Sequence, residues 1–229
     1  MLLFVGYEVT ANDLYASAAP DEVTSERQLL ASISPAACHF SGKFSQQKNT
    51  QGLGFPLRSH GDFFFSCDLG LVWNTIAPFE EVMLYINSTT SYRASKDGGV
   101  ERMSGMIRYA IAKIFLKILS GDTKYFSNEF SVILVGDGVE LKPENDFLKK
   151  GIKQVFITKG SNVETGTSLR IDIEDAVGQH SQINIVDIIE YSIEGRQEAY
   201  QQCQRLYLTL FEWCSVLRYP DHYTHDSRS

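Results

Sequence analysis

A chain of 229 residues is long enough to form one large domain or two small ones and to bury roughly 70% of its unfolded surface. Its 43% hydrophobic and 21% charged residues exclude wholesale disorder, and a net charge of -7 excludes a surface that grips nucleic acid throughout. Cys38, Cys67, Cys203 and Cys214 include no CxxC pair. In a chain this apolar they are expected as reduced thiols of an intracellular, cytoplasmic protein. The first eight residues lack the basic lead and long apolar core of a signal peptide, and no apolar run approaches a membrane span. The Asn87-Ser88-Thr89 sequon is therefore expected to stay unmodified.

Residues 2–9 read as a short strand. Ser25-x-x-Gln28 has capping-box spacing, with Val23 and Leu29 placed as a hydrophobic staple, so a helix is expected there and ends before Pro35. Residues 34–61 are rich in Ser, Gln, Gly and Pro without sustained periodicity and read as a linker or long surface loop. From 62 to 73 the chain alternates, with Phe63, Phe65, Cys67, Leu69, Leu71 and Trp73 on one face of an expected strand. Pro78 suits the first turn of a short helix running to Ile86.

Residues 100–119 carry Met103, Met106, Ile107, Ala110, Ile111, Ile114 and Ile118 at helical spacing, with Gly121 as the stop. Residues 130–135 and 139–141 flank Gly136-Asp137-Gly138 and read as a hairpin. Residues 152–158 and 168–173 read as strands, and 183–191 fit strand or helix equally. Residues 194–217 read as one long helix bearing Cys203, Leu206, Leu210, Trp213 and Leu217, ended by Pro220. Strands grouped between helices without a βαβ rhythm predict an α+β fold: a mostly antiparallel sheet packed against two long helices. The expected division is 1–33 as an N-terminal strand and helix, 34–61 as the linker, and 62–229 as the main domain.

No motif nominates a catalytic, cofactor-binding or metal-ligating residue, and no cofactor is expected. His222 and His225 have a metal-like spacing beside Asp221 and Asp226, but nothing rigid is expected to hold them. Gly136 and Gly138 lack the third glycine and following helix of a phosphate loop. Cys38 and His39 are adjacent and point apart, which does not make a nucleophile pair. Charge is more informative. Residues 93–124 hold seven basic groups against three acids, and Arg102, Lys113 and Lys117 are expected along one helix flank. That flank is a candidate contact for an anionic membrane or a nucleoprotein.

Phe63-Phe64-Phe65 opens a strand continued by Leu69, Leu71 and Asn74, then Pro78-Phe79 and a helix. Lys113-Ile114, Pro143-Glu144, Lys159-Gly160 and Gly166-Thr167 leading into Leu169, Ile171, Ile173 and Asp175 follow in order. Over residues 60–192 this pattern resembles a rhabdovirus matrix protein, although the family's lysine-rich arm and Pro-Pro-x-Tyr motif are absent. The resemblance implies a non-enzymatic structural protein that self-associates, contacts nucleocapsid and attaches to the inner membrane leaflet. It would reside in the cytoplasm, in the virion or at the membrane. The alternatives are a small enzyme whose site is assembled from scattered residues, and a regulatory protein-binding module. Sequence-specific nucleic-acid binding is not indicated.

Overall fold

Alternating apolar and polar residues dominate the chain from residue 39 onward, and they fold as strands far more often than as helices. The computed structural model describes residues 28–34, 37–50, 52–87, 89–95, 99–103, 106–162, 166–209 and 212–223. The strand expected at 2–9 lies outside these residues. The strands are β1 (His39–Asn49), β2 (Leu57–Ser66), β3 (Gly70–Ala77), β4 (Glu81–Tyr85), β5 (Ser91–Ala94) and β6 (Val100–Arg102). They continue as β7 (Phe130–Val135), β8 (Gly138–Pro143), β9 (Ile152–Asn162), β10 (Gly166–Asp175) and β11 (His180–Glu190). All eleven form one sheet in the order β6-β5-β4-β3-β2-β1-β11-β10-β9-β8-β7. The described pairs are antiparallel, so two meanders meet where β1 pairs with β11.

The helices are α1 (residues 28–33), α2 (Met106–Leu119), α3 (Thr123–Glu129), α4 (Asp146–Lys149), α5 (Gly195–Leu206) and α6 (Glu212–Arg218). Period-two alternation gives the sheet two differently covered faces. The inner face carries Phe40, Phe44, Phe63, Phe65, Leu71, Trp73, Val155, Ile157, Ile171 and Ile185 against α1, α2 and α3. The outer face carries Phe64, Val72, Val82, Leu84 and Tyr92 against Ala199, Trp213, Val216 and Leu217 of α5 and α6. From β3 to β7 a flat sheet would span about 34 Å, at about 4.8 Å per strand. Trp73 of β3 and Val132 of β7 nonetheless share one core with α2. A single helix is only about 10–12 Å wide, so the sheet curls around it, as wide open sheets do.

The expectation of a sheet packed against two long helices is overturned. The sheet is the body of the molecule, and its helices are short. The expected helix at 194–217 is two helices, because the chain turns at Tyr207 and Cys203 is joined to Cys214 by a disulfide with a Cα–Cα distance of 5.9 Å. Residues eleven apart on one straight helix would stand about 16 Å apart. Cys38 and Cys67 form a second disulfide that ties the start of β1 to the end of β2. The expectation of four reduced thiols is therefore wrong, and the cytoplasmic placement loses that support.

Three further expectations change. The alternation from 62 to 73 is a hairpin, in which Phe65 pairs with Leu71 and the apolar phase continues across the turn. Residues 81–85 form strand β4 where a helix was expected. Most of residues 34–61, expected as a linker, belongs to β1 and β2 at the centre of the sheet. Phe63, Phe65, Leu69, Leu71 and Ile114 are buried as expected, and Gly121 closes α2 with its N–H on the Ile118 carbonyl at 3.2 Å.

If both cysteine pairs are bonded, the chain unfolded without reductant should take up no alkylating reagent, and after reduction it should take up four equivalents. Mass spectrometry reads this directly. Replacing Cys203 and Cys214 by Ser should cost about 2–4 kcal/mol in urea denaturation.

Candidate functional site

The inner face changes character along β1 to β5. Its lower part is aromatic: Phe44 stacks on Trp73 with ring centroids 3.7 Å apart, and Phe115 of α2 meets Trp73 edge-on at 4.8 Å. Gly61 leaves room for this stack, since a Cβ there would run into the Asn74 carbonyl and the Phe44 ring. One step further along each strand the inward side chains turn mostly polar, with Met83 the exception. Gln46 lies opposite Ser59, Thr75 opposite Glu81, and Met83 opposite Arg93. These six line a hollow of about 550 Å³ that also reaches Pro78 and Phe79. The volume is that of a small-molecule pocket. In its wall Arg93 Nη2 pairs with Glu81 Oε1 at 2.7 Å.

The end of the sheet where this hollow opens is set by register. Asn49 at the end of β1 pairs with His180 at the start of β11, so the β1–β2 and β10–β11 connections lie together. Antiparallel succession puts the β3–β4 turn and the α4 connection from β8 to β9 at the same end. The Ala176 N–H on the Gly151 carbonyl at 3.2 Å ties the last of these in. Each of the four connections shows a large apolar side chain to solvent. Phe79 is 82% exposed, Phe55 64% and Val177 65%, and Leu53, Leu57 and Phe147 are also exposed. Single exposed apolar residues are ordinary, but several of them at one end of a sheet are the pattern of a contact surface.

The residues nominated from sequence are not gathered on one helix flank. Arg102 lies on edge strand β6, opposite Tyr92. Lys113 and Lys117 share the face of Tyr125, with ammonium groups 4.9 and 5.7 Å from the ring centroid. Lys117 also pairs with Asp122 at 2.6 Å. Burial works to raise the Asp122 pKa, but the Lys117 hydrogen bond and the Tyr125 N–H outweigh it and hold the carboxyl below its usual range. His222 sits in the Pro220–Tyr223 turn, stacked on Tyr219, and His225 lies outside the described residues. No group of three or more metal-binding side chains occurs among the described residues.

One arrangement invisible in the sequence imitates a hydrolase. Ser66 Oγ lies 3.0 Å from His39 Nδ1, and His39 Nε2 lies 3.8 Å from Asp68. Ser66 is fully buried, and its Oγ already accepts the N–H groups of Asp68 and Leu69. It closes the β2–β3 turn and is sealed from substrate. The polar row of the hollow had no sequence signal, because Gln46 and Ser59 fall in the stretch read as a loop and Thr75 lies past the end of the expected strand.

No family model and no curated protein matches the chain. Solved structures similar to it include a LolA superfamily protein from Nitrosomonas europaea, with 12% identity and a TM-score of 0.41 over 75% of this chain and 94% of that one. Another is a DUF1329 family protein from Desulfovibrio piger, with 10% identity and a TM-score of 0.44 over 77% and 96%. A third is an outer membrane lipoprotein-sorting protein domain from Vibrio parahaemolyticus, with 7% identity and a TM-score of 0.42 over 80% and 96%.

None of the three is a rhabdovirus matrix protein, and the resemblance to that family is overturned. Its motif residues occupy different elements from those it requires: Leu69 lies in a turn, and Pro78-Phe79 leads into a strand where a helix was implied. The viral matrix function, the nucleocapsid contact and the virion location fall with it.

Asp122→Asn keeps a capping oxygen but removes the charge that Lys117 meets. It should cost about 0.5–1 kcal/mol near neutral pH, as expected of a partly exposed pair. A depressed carboxyl pKa stabilises above the ordinary carboxylate range and loses that contribution as pH falls through the folded-state value. Urea denaturation across an acid series should therefore bring variant and parent together at the low end.

Proposed function

We propose that the protein is a non-catalytic binding protein for an amphiphile, a lipid or a lipid-tailed chain, received at the open end of the inner face. The single observation that carries this reading is the set of exposed apolar side chains, Phe55, Phe79 and Val177, at the end of the sheet where a hollow of mixed polar and apolar lining opens. These side chains would rest on a lipid surface or a lipid tail, while Arg93, Glu81 and the amide of Gln46 would meet the head group. Met83 and the Pro78-Phe79 lip supply the apolar side. Two disulfides support action in an oxidising compartment, outside the cytoplasm. No helix among the described residues is long and apolar enough to cross a membrane.

Vesicle flotation with phosphatidylcholine, and titration with a lysophospholipid, test the two halves separately. Burying a Phe side chain contributes about 1.5–3 kcal/mol. The double variant Phe55→Ser, Phe79→Ser should therefore weaken vesicle binding more than about tenfold. Arg93→Ala should weaken lysophospholipid binding and leave vesicle binding nearly unchanged. Parent-like binding by both variants, with parent-like thermal melts, would sink the reading. Arg102, Lys113 and Lys117 enter the same proposal as contacts for anionic head groups. Their neutralisation to Gln should weaken binding to phosphatidylglycerol vesicles at low salt only, because exposed charges are screened beyond about 8 Å at physiological salt.

A further inference from the structure

A second hollow, of about 690 Å³, lies on the outer face beneath the elbow between α5 and α6. It is built at an irregularity of the β1–β11 seam. Ser41 pairs with Ile189 but Lys43 with Val186, so β11 spends one extra residue opposite Gly42. Asp187 takes up the slack at φ 54°, a left-handed conformation that Asp tolerates better than most residues. Such bulges re-aim side chains, and here the Asp187 carboxylate reaches Lys43 Nζ at 2.9 Å. The two charges cancel.

The floor also holds Asp62, directly opposite Lys43 across β1 and β2, so two carboxylates face one ammonium and the hollow keeps a net negative charge. Asp62 Oδ1 accepts the Tyr207 hydroxyl at 2.9 Å, and Oδ2 accepts Asn74 Nδ2 at 3.0 Å. Both donors are neutral. Burial first, and then the Asp62 carboxylate, push the Tyr207 phenol well above its ordinary range, so it stays a donor. The lip of the hollow is apolar, with Ile189, Leu206 and Leu208 all exposed. The Cys203–Cys214 disulfide holds the elbow that carries Leu206 and Leu208.

From this geometry we propose that the outer hollow binds a primary ammonium group on an apolar stem, its charge met by Asp62 and its stem by Ile189, Leu206 and Leu208. Each Asp62 oxygen already accepts one hydrogen bond, which leaves room for a compact ammonium. A planar guanidinium would need both oxygens open side by side. An alkylamine and a lysine side chain share this chemistry. The site is on the opposite face from the amphiphile hollow and does not depend on it.

Calorimetric titration with octylammonium, octanol and a capped Leu-Lys-Leu peptide tests the assignment on the full chain. Octylammonium should bind saturably and at least tenfold more tightly than octanol. Asp62→Asn should abolish that preference, and Leu208→Ser should weaken octylammonium and octanol alike. Leu208 is exposed, so its substitution keeps the test valid even if Asp62→Asn fails to fold. Tighter binding of the peptide would make the source a protein partner, and tighter binding of octylammonium a free amine. Equal affinity for octylammonium and octanol in the parent, or no saturable binding at all, would overturn the proposal. Phe55→Ser, Phe79→Ser should leave the octylammonium affinity unchanged, which separates this result from a failure of the amphiphile reading.

Discussion

The pairing of β1 with β11 is the interaction on which the rest of the structure depends. It joins residues 39–49 to residues 180–190 and is the only described link between the two meanders within the sheet. Closing so long a loop is costly in chain entropy and is repaid only by contacts that form together. Phe40 and Phe44 on β1 and Ile183 and Ile185 on β11 supply them, since all four are buried in one core. Gly42 keeps the seam tight, because a Cβ there would press on the Phe63 ring at 2.8 Å and the Val186 carbonyl at 3.0 Å.

With the seam closed, each face acquires its own cover and its own hollow. Inside, α2 fills the aromatic half of the curl and leaves the polar row of Gln46, Ser59, Thr75 and Glu81 open at one end. Outside, α5 and α6 cover the β2–β5 region and are tied down by Arg196, whose guanidinium donates to the carbonyls of Asp68, Leu217 and Arg218 at 2.8–3.0 Å. Leu217 and Arg218 close α6, so one cation caps a helix and fastens it to the β2–β3 turn. The outer hollow is the strip of sheet between that cover and the seam.

Much of the right half of this sheet was legible in the sequence. The β7–β8 hairpin announces itself through Gly136-Asp137-Gly138, and β9 and β10 through alternating Ile, Val and Leu. Of the helix expected over 100–119, the part from Met106 to Leu119 was legible from its apolar period, but Val100–Arg102 form strand β6. β1 was not. Its inward Phe40, Gly42 and Phe44 alternate with Ser41, Lys43 and Ser45, and that mixture of Gly, Ser and Lys has the composition of a loop. The break between α5 and α6 was hidden for a different reason. Its apolar spacing suits a continuous helix, and only the partner of Cys203 reveals the turn. Neither hollow could be read in advance, since both depend on which strands become neighbours, and that information is spread along the whole chain.

An open sheet also has two margins, and here they differ. Among the described residues β6 is three residues long and ends in Glu101 and Arg102, a blunt and charged border that discourages further strands. β7 is six residues long and finishes in Ile133, Leu134 and Val135, all exposed. At high concentration, or when the fold is loosened, growth by strand addition would start from that side. A lysine placed at Ile133, whose side chain faces away from the core, would guard the border without touching what the fold buries.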